Sequence, residues 1–210
     1  MYIPAFFSEP DGARIATLID GHGFATLISA GDGNMQISHV PLMLDRDRGA
    51  YGTLVGHLAR ANPHAAALQD GASATSLFHG PHGYVSPTWY DSPGVPTWNY
   101  AAVHVHGTVR RLDDAEAKWR IVSRLAAQYE DGSTNPWNPA LRQDQWWKLL
   151  DAIVGFEIGI TSMEAKFKLS QNRAAKDQEN VIARFDAGVH PDGHAMAALM
   201  RDNLARKNAV

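Results

Sequence analysis

The sequence predicts a mainly β fold of the α+β class: a small closed barrel of six antiparallel strands with helices before, between and after them. Three observations carry this. From Gly23 onward, hydrophobic residues alternate with a period of two through successive segments separated by short Gly- and Asp-rich turns. Stretches with helical spacing interrupt the strand series without alternating regularly with it, so parallel α/β winding is not expected. The composition, 45% hydrophobic and 20% charged over 210 residues, supplies enough apolar material for one sizeable core.

The first element is a helix. Pro10 follows Ser8 and Glu9, Ile15, Leu18 and Ile19 recur at helical spacing, and Gly21 or Gly23 ends it. FATLIS, MQISHVPLML and AYGTLVGHL then read as three strands. They are joined by Gly31-Asp32-Gly33 and by Asp45-Arg46-Asp47-Arg48-Gly49. Asn62-Pro63 opens a short helix, HAAALQ, with Asn62 as its cap. SATSLFHG continues the sheet and leads to GYVSPTWY. WNYAAVHVHGTVRRL is the longest strand pattern. Amphipathic helices are expected over 113–129 and 141–150, the second rich in tryptophan. IVGFEIGITSMEAKFKLS closes the sheet, with Gly159 a place for a bulge, and helices follow over 174–185 and 194–205. The expected organisation is a barrel domain with inserted helices over 1–172 and a helical extension over 173–210.

Several classes of function are disfavoured. The net charge of -3 gives no global support for coating nucleic acid. The absence of cysteine removes disulfides, Cys-ligated zinc, Fe–S clusters and thiolate nucleophiles. The opening MYIPAFFSEPDGARIA has no basic region followed by a long apolar run, and no stretch approaches bilayer length. A cytoplasmic protein without membrane association is expected. There is no G-x-G-x-x-G, no G-x-x-x-x-G-K-[ST], no Gly-x-Ser-x-Gly elbow and no pair of carboxylates in a catalytic pattern.

Four segments carry the candidate chemistry. In GHLARANP a strand gives way to a helix start, where Arg60 offers a fork of donors and His57 and Asn62 add polar groups; together they suit a phosphate. The same residues fit a plainly capped helix with a solvated arginine, which is the commoner arrangement. In VPTWNYAAVHVHG, alternation puts Trp98, Tyr100, Ala102, His104 and His106 on one face and Asn99, Ala101, Val103 and Val105 on the other. The second set suits a barrel interior. The first suits a planar cofactor, a partner subunit, or equally an overlying helix. His104 and His106 form a His-x-His that His79 and His82 could join. No carboxylate stands at a recognisable ligand spacing, so no metal is expected. FHGPHGYVSPTWY reads as a fixed loop of large flat side chains, lining a pocket or packing on itself. KFKLSQNR gathers cations and amides at the end of the last strand, suited to an anion or a flavin edge, or simply solvated. Trp137, Trp146 and Trp147 read as packing residues.

Taken together and in order, MYIPAFF, GHLARANP, FHGPHGYVSPTWY, VPTWNYAAVHVHG and KLSQNR resemble the blocks of PaiB-type FMN-binding proteins, over almost the whole chain. The resemblance implies a split β-barrel of the FMN-binding type, shared with pyridoxamine-phosphate oxidases, and a homodimer with flavin between subunits. It places the FMN phosphate near His57, Arg60 and Asn62, with Ser38 and His39 on the preceding strand beside it. Trp98, Asn99, Lys168, Gln171 and Asn172 would border the flavin or the dimer seam. A homodimer is expected independently, because so many aromatics on loops and one strand face expose more apolar surface than a monomer normally carries.

The family label implies a negative transcriptional regulator. Competing expectations are a flavin-dependent oxidoreductase or haem-processing enzyme on the same barrel, and a structural dimer without ligand. The label makes DNA a possible partner that the charge does not support. The C-terminal helices are joined by a connection too long for a helix-turn-helix, and their cations Arg201, Arg206 and Lys207 come late, whereas recognition helices read bases from their N-terminal end. Isolated protein is therefore expected to bind DNA weakly and without sequence preference. A promoter footprint surviving about 150 mM salt would be the contrary result.

Overall fold

The computed structural model describes residues 1–31, 33–137 and 143–208. Asp32 in the first predicted turn and Leu141 and Arg142 at the predicted start of the tryptophan-rich helix lie outside the described residues. The chain forms two compact units, one of residues 19–78 and 104–163, the other of residues 1–18, 79–103 and 164–210.

In the first unit, register closes the sheet. Strand β1 (Phe24–Gly31) runs antiparallel to β2 (Asn34–Asp45), with Phe24 opposite Pro41 and Gly31 opposite Asn34. β2 pairs with β3 (Thr53–Ala59), β3 with β6 (Ile153–Lys168), and β1 returns to β4 (Ser73–Val85), placing Thr26 opposite Leu77. With β5 (Thr97–Leu112) the order β1-β2-β3-β6-β5-β4 is a closed six-stranded antiparallel barrel, the predicted architecture. Register between β3 and β6 is continuous from Ala59 opposite Ile153 to Thr53 opposite Gly159. The bulge expected at Gly159 is therefore absent from this pairing. Alternation sends Leu27, Leu42, Leu54, Phe78, Phe156 and Ile158 into a core from which water is excluded.

Helix α1 (Gly12–Gly21) buries Ile15, Leu18 and Ile19, the apolar stripe read from the sequence. Helix α2 is shorter than HAAALQ, a single turn over His64–Ala67 with Pro63 at its N-cap. Helix α3 (Ala115–Glu130) starts where the Asp114 carboxylate accepts the Ala117 amide at 2.9 Å. It lays Ala117 and Ile121 over Met43, Val55 and Leu112 on the outer face of the sheet. Lys118, almost wholly buried, donates through Nζ to the Leu150 carbonyl at 2.7 Å, which ties α3 to the turn before β6. Helix α4 (Gln143–Leu149) brings Trp147 to 5.7 Å from Trp119, the packing role expected of that tryptophan.

In the second unit, β4, β5 and β6 continue to Val85, from Thr97 and to Lys168. Helices α5 (Ala175–Asp186) and α6 (Gly193–Asn208) bury Val181, Phe185, Met196 and Met200. The Asp177 carboxylate latches α5 to the preceding loop: it accepts the Asp91 amide at 2.8 Å and the Ser92 hydroxyl. Arg201 and Arg206 of α6 are paired with Asp186 and with Asp202 and Asp11. Among the described residues, no helix is long and apolar enough to cross a membrane.

β5 and β6 approach closely at Gly107, where a Cβ would sit 2.4 Å from the Gly159 carbonyl oxygen and 2.6 Å from Ile158 Cγ2. Backbone cannot yield as a flexible side-chain tip does. Gly107→Ala should therefore destabilise the barrel by about 1–3 kcal/mol, read as a lower urea midpoint at unchanged slope. An unaltered midpoint would contradict this packing.

Candidate functional site

In the unit of residues 19–78 and 104–163, a buried chain of hydrogen bonds joins β1, β2 and α2. Ser29 Oγ lies 2.8 Å from His64 Nε2, and His64 Nδ1 lies 2.9 Å from Ser38 Oγ. Asn62 Nδ2 donates to Ser38 Oγ at 3.1 Å, while Asn62 Oδ1 accepts the His64 amide at 3.0 Å. His64 is only 1% exposed, and burial holds its imidazole below the ordinary pKa of 6.5. The ring is therefore neutral, with one nitrogen donating and one accepting, which its two serine partners can both satisfy.

Arg60 lies two residues before Asn62 in the chain. Nε donates to the Asp151 carbonyl at 2.7 Å and Nη2 to the Ile153 carbonyl at 3.1 Å, with Asp113 at 3.6 Å. The guanidinium is anchored yet 45% exposed. A cation held this way cannot swing away, so its open edge is preorganised for an anion. His57, on the outer face of β3, has a buried Nδ1 with no protein partner, and burial lowers its pKa. An orphaned buried ring nitrogen is the type of group a ligand or water satisfies. His39 faces outward, its Nδ1 3.2 Å from Thr26 Oγ1 and its ring 6.3 Å from Phe24. The same outer surface of β1 and β2 displays Phe24, Met35 and Ile37, which are 70%, 70% and 57% exposed.

The other unit holds a second polar cluster. Lys168 Nζ donates to the Trp98 carbonyl at 2.6 Å and to the Thr97 hydroxyl, and lies 5.8 Å from the centre of the Phe7 ring. Burial, then the neighbouring Lys166 charge, lower its pKa. Asn99 is fully buried and exchanges hydrogen bonds with Ser170, at 3.0 Å from Nδ2 and 3.2 Å to Oδ1. Ser170 has a φ of 62°, the left-handed region, and is the one described non-glycine residue there. Lys168, Asn99, Ser170 and Asn172 line a cleft of about 170 Å³ whose walls include Phe6 and Tyr90. Gln171 folds back, accepting the Leu169 amide at 2.7 Å and donating to the Phe167 carbonyl. It holds the strained turn and does not line the cleft. Trp98 is half exposed and lies among His82, Tyr84 and His190 with ring separations of 6.1–6.2 Å.

The predicted residues thus fall into two groups. Ser38, His39, His57, Arg60 and Asn62 belong to one unit; Trp98, Asn99, Lys168, Gln171 and Asn172 belong to the other. Ser38 and Asn62 are in direct contact, as are Lys168 and the Trp98 carbonyl. Sequence reasoning missed Ser29 and His64, and it included Thr97 and Ser170 only as members of their segments. His64 had a signal in its position two residues after Asn62, a common Asx turn. Ser29 had none, because its meeting with His64 follows from barrel closure. Among the described residues, no group of three or more His, Asp or Glu side chains could hold a metal.

Comparison with known proteins places these residues in context. Residues 1–162 match the family described as "Putative FMN-binding domain". The chain is similar to the protease synthase and sporulation protein PAI 2 of Bacillus subtilis, 33% identical over 99% of this chain and 100% of that one. Solved structures share the fold at lower identity. An FAD and haem binding protein from Mycobacterium smegmatis has a TM-score of 0.59 and 19% identity, over 82% of this chain and 78% of the other. The flavocytochrome Anf3 from Azotobacter vinelandii has a TM-score of 0.60 and 12% identity, over 85% and 78%.

The buried imidazoles set a pH dependence. His64 and His57 have folded pKa values depressed below about 6.5, so the unfolded chain takes up protons that the folded protein refuses. Their contribution is present above that pH and is lost as pH falls below it. Glu157, held low chiefly by Arg48, titrates in a lower window. Urea unfolding should show stability dropping between about pH 7.5 and pH 5.5. The drop should be shallower in His64→Gln. Equal slopes in the wild type, His64→Gln and His57→Gln would contradict this assignment.

Proposed function

The chain belongs to the FMN-binding family of the PaiB type, a family of flavin-binding split barrels, and from that premise we propose that it is a dimeric regulator or sensor that binds FMN without turnover. The observation that carries the cofactor placement is Arg60. Its guanidinium is fixed by two backbone carbonyls and is 45% exposed, and Arg60 lies two residues before Asn62 of the Ser38–Asn62–His64 network. That combination suits the FMN phosphate, because a charge-assisted contact gains most when the donor is already positioned. His57, with its orphaned Nδ1, adds a polar group on the same strand. When bound, the flavin supplies reversible electron transfer.

The Lys168 cluster provides a second, separate polar cleft. Lys168 and Asn172 there present donors suited to a carbonyl edge or an anion, and Ser170 and Gln171 hold the turn in shape. A second copy of the chain would cover Phe24, Met35 and Ile37. Such an apolar strand face on an otherwise closed barrel favours isologous pairing. The regulatory reading rests on the name of the Bacillus relative. With two of the three α6 arginine and lysine side chains in ion pairs, regulation acts through flavin chemistry or a partner.

A second reading, haem binding, is favoured by one observation. His82 Nδ1 is 3.1 Å from the Asp192 carboxylate, and the side chain is 56% exposed; a carboxylate on one ring nitrogen is the support a histidine that would hold a haem iron through the other nitrogen uses.

Freshly purified protein should be yellow, with an oxidised-flavin spectrum, and should sediment as a dimer that Ile37→Asp converts to monomer. Arg60→Ala should weaken FMN about tenfold or more while leaving riboflavin little changed, the loss expected for one charge-assisted contact. Equal affinity of the wild type for FMN and riboflavin would overturn the phosphate placement. A Soret band that disappears in His82→Ala would support haem instead.

A further inference from the structure

A second cavity lies outside the residues assigned to flavin. It is a cleft of about 300 Å³ in the unit of residues 19–78 and 104–163, between the outer face of the sheet and α3. Its floor is apolar: Val55 and Leu112 from the strands, Ala117 and Ile121 from the helix. Its walls are cationic. Arg48 and Arg110 come from the sheet side, and Arg120 and Arg124 from the same face of α3 as Ala117 and Ile121, at spacings of three and four residues.

The arginines are held in place from beneath. Glu157, 7% exposed, takes both Arg48 nitrogens, Nη1 at 2.6 Å and Nη2 at 2.8 Å. Its Oε2 also accepts Arg110 Nε at 3.0 Å and Arg110 Nη2. One carboxylate therefore orients two guanidiniums, and each keeps an N–H that Glu157 does not engage: Nε of Arg48 and Nη1 of Arg110. Arg124 is braced by the Leu44 carbonyl at 3.2 Å and Asp45 at 3.4 Å. Arg120 has only a 4.0 Å approach to Glu116 and is the freest of the four. Four guanidiniums face three lining carboxylates, Asp45, Asp114 and Glu157, a surplus of one positive charge. Asp114 is spent on capping α3.

We propose that this cleft binds an amphipathic organic anion, a molecule with an apolar body and one carboxylate. The Val55–Ile121 floor is already largely buried, so the body covers only the apolar surface left at the cleft, while the carboxylate meets the guanidinium walls and balances the surplus charge. Neither half suffices alone: a small inorganic anion leaves the remaining apolar surface uncovered, and a neutral apolar molecule leaves the surplus charge unbalanced. The site is independent of the flavin reading, because none of its residues belongs to the Arg60 or Lys168 clusters.

Calorimetric titration of the full-length protein with octanoate tests this, with octanamide and acetate as the uncharged and bodiless comparisons. Octanoate should bind one-to-one and saturably, with both comparisons at least about tenfold weaker. Arg120→Gln and Arg110→Gln should each weaken octanoate about tenfold, with thermal midpoint and flavin content confirming that the variant is folded. Arg120 is exposed and makes no supporting contact to the sheet, so its variant remains informative if Arg110→Gln unfolds. Absence of saturable octanoate binding would overturn the proposal. So would octanamide or acetate binding as well as octanoate, or affinity unchanged in both variants.

Discussion

A closed sheet obliges every strand to surrender one of its faces to an interior without water, and the rest of this structure is arranged around that obligation. Where alternation supplies Leu27, Leu42, Leu54 and Phe156, the interior is filled by dispersion and the hydrophobic effect. Where the inward positions are polar, as at Ser29 and Ser38, the same closure would strand hydroxyl groups, and α2 supplies His64 to satisfy both. The corner proposed for the phosphate is thus first a structural repair, and the capacity proposed for it comes from Arg60 and the exposed edge left over.

The outer faces divide by what covers them. On β3 and β5 the outward Val55 and Leu112 are covered by α3, and the charged neighbours Arg48, Arg110 and Glu157 ring that contact. Glu157 interrupts the apolar run Ile153–Ile160 of β6. It survives there because two guanidiniums offset its desolvation, which one partner alone would do poorly. On β1 and β2 nothing in the chain covers Phe24, Met35 and Ile37 among the described residues, which is why that face, and not the α3 face, suits a second subunit.

In the second unit, backbone strain lies at the proposed Lys168 cleft. Ser170 occupies a left-handed backbone position that a side chain disfavours, and its hydroxyl is locked to buried Asn99. That lock costs conformational freedom and returns a fixed geometry at Lys168, whose charge is already disfavoured by burial. A lysine so placed gains more from an anionic or carbonyl partner than a solvated one would.

Periodicity by itself determined that there are six strands, the longer amphipathic helices and the two faces of β5, but it read residues 78–85 as loop where β4 runs on to Val85. Asn99, Val103 and Val105 are buried and Trp98, His104 and His106 less so, because side-chain direction in a strand is set locally by the pleat. The ordered blocks around Arg60 and Lys168 likewise carried the family. Only the tertiary structure decided what those side chains touch. Arg60 turns to carbonyls more than ninety positions away, and Glu157 meets Arg48 across a separation of 109. Such meetings follow from register and closure, which bring distant strands edge to edge, and no local pattern encodes which of several cations will find a given buried carboxylate.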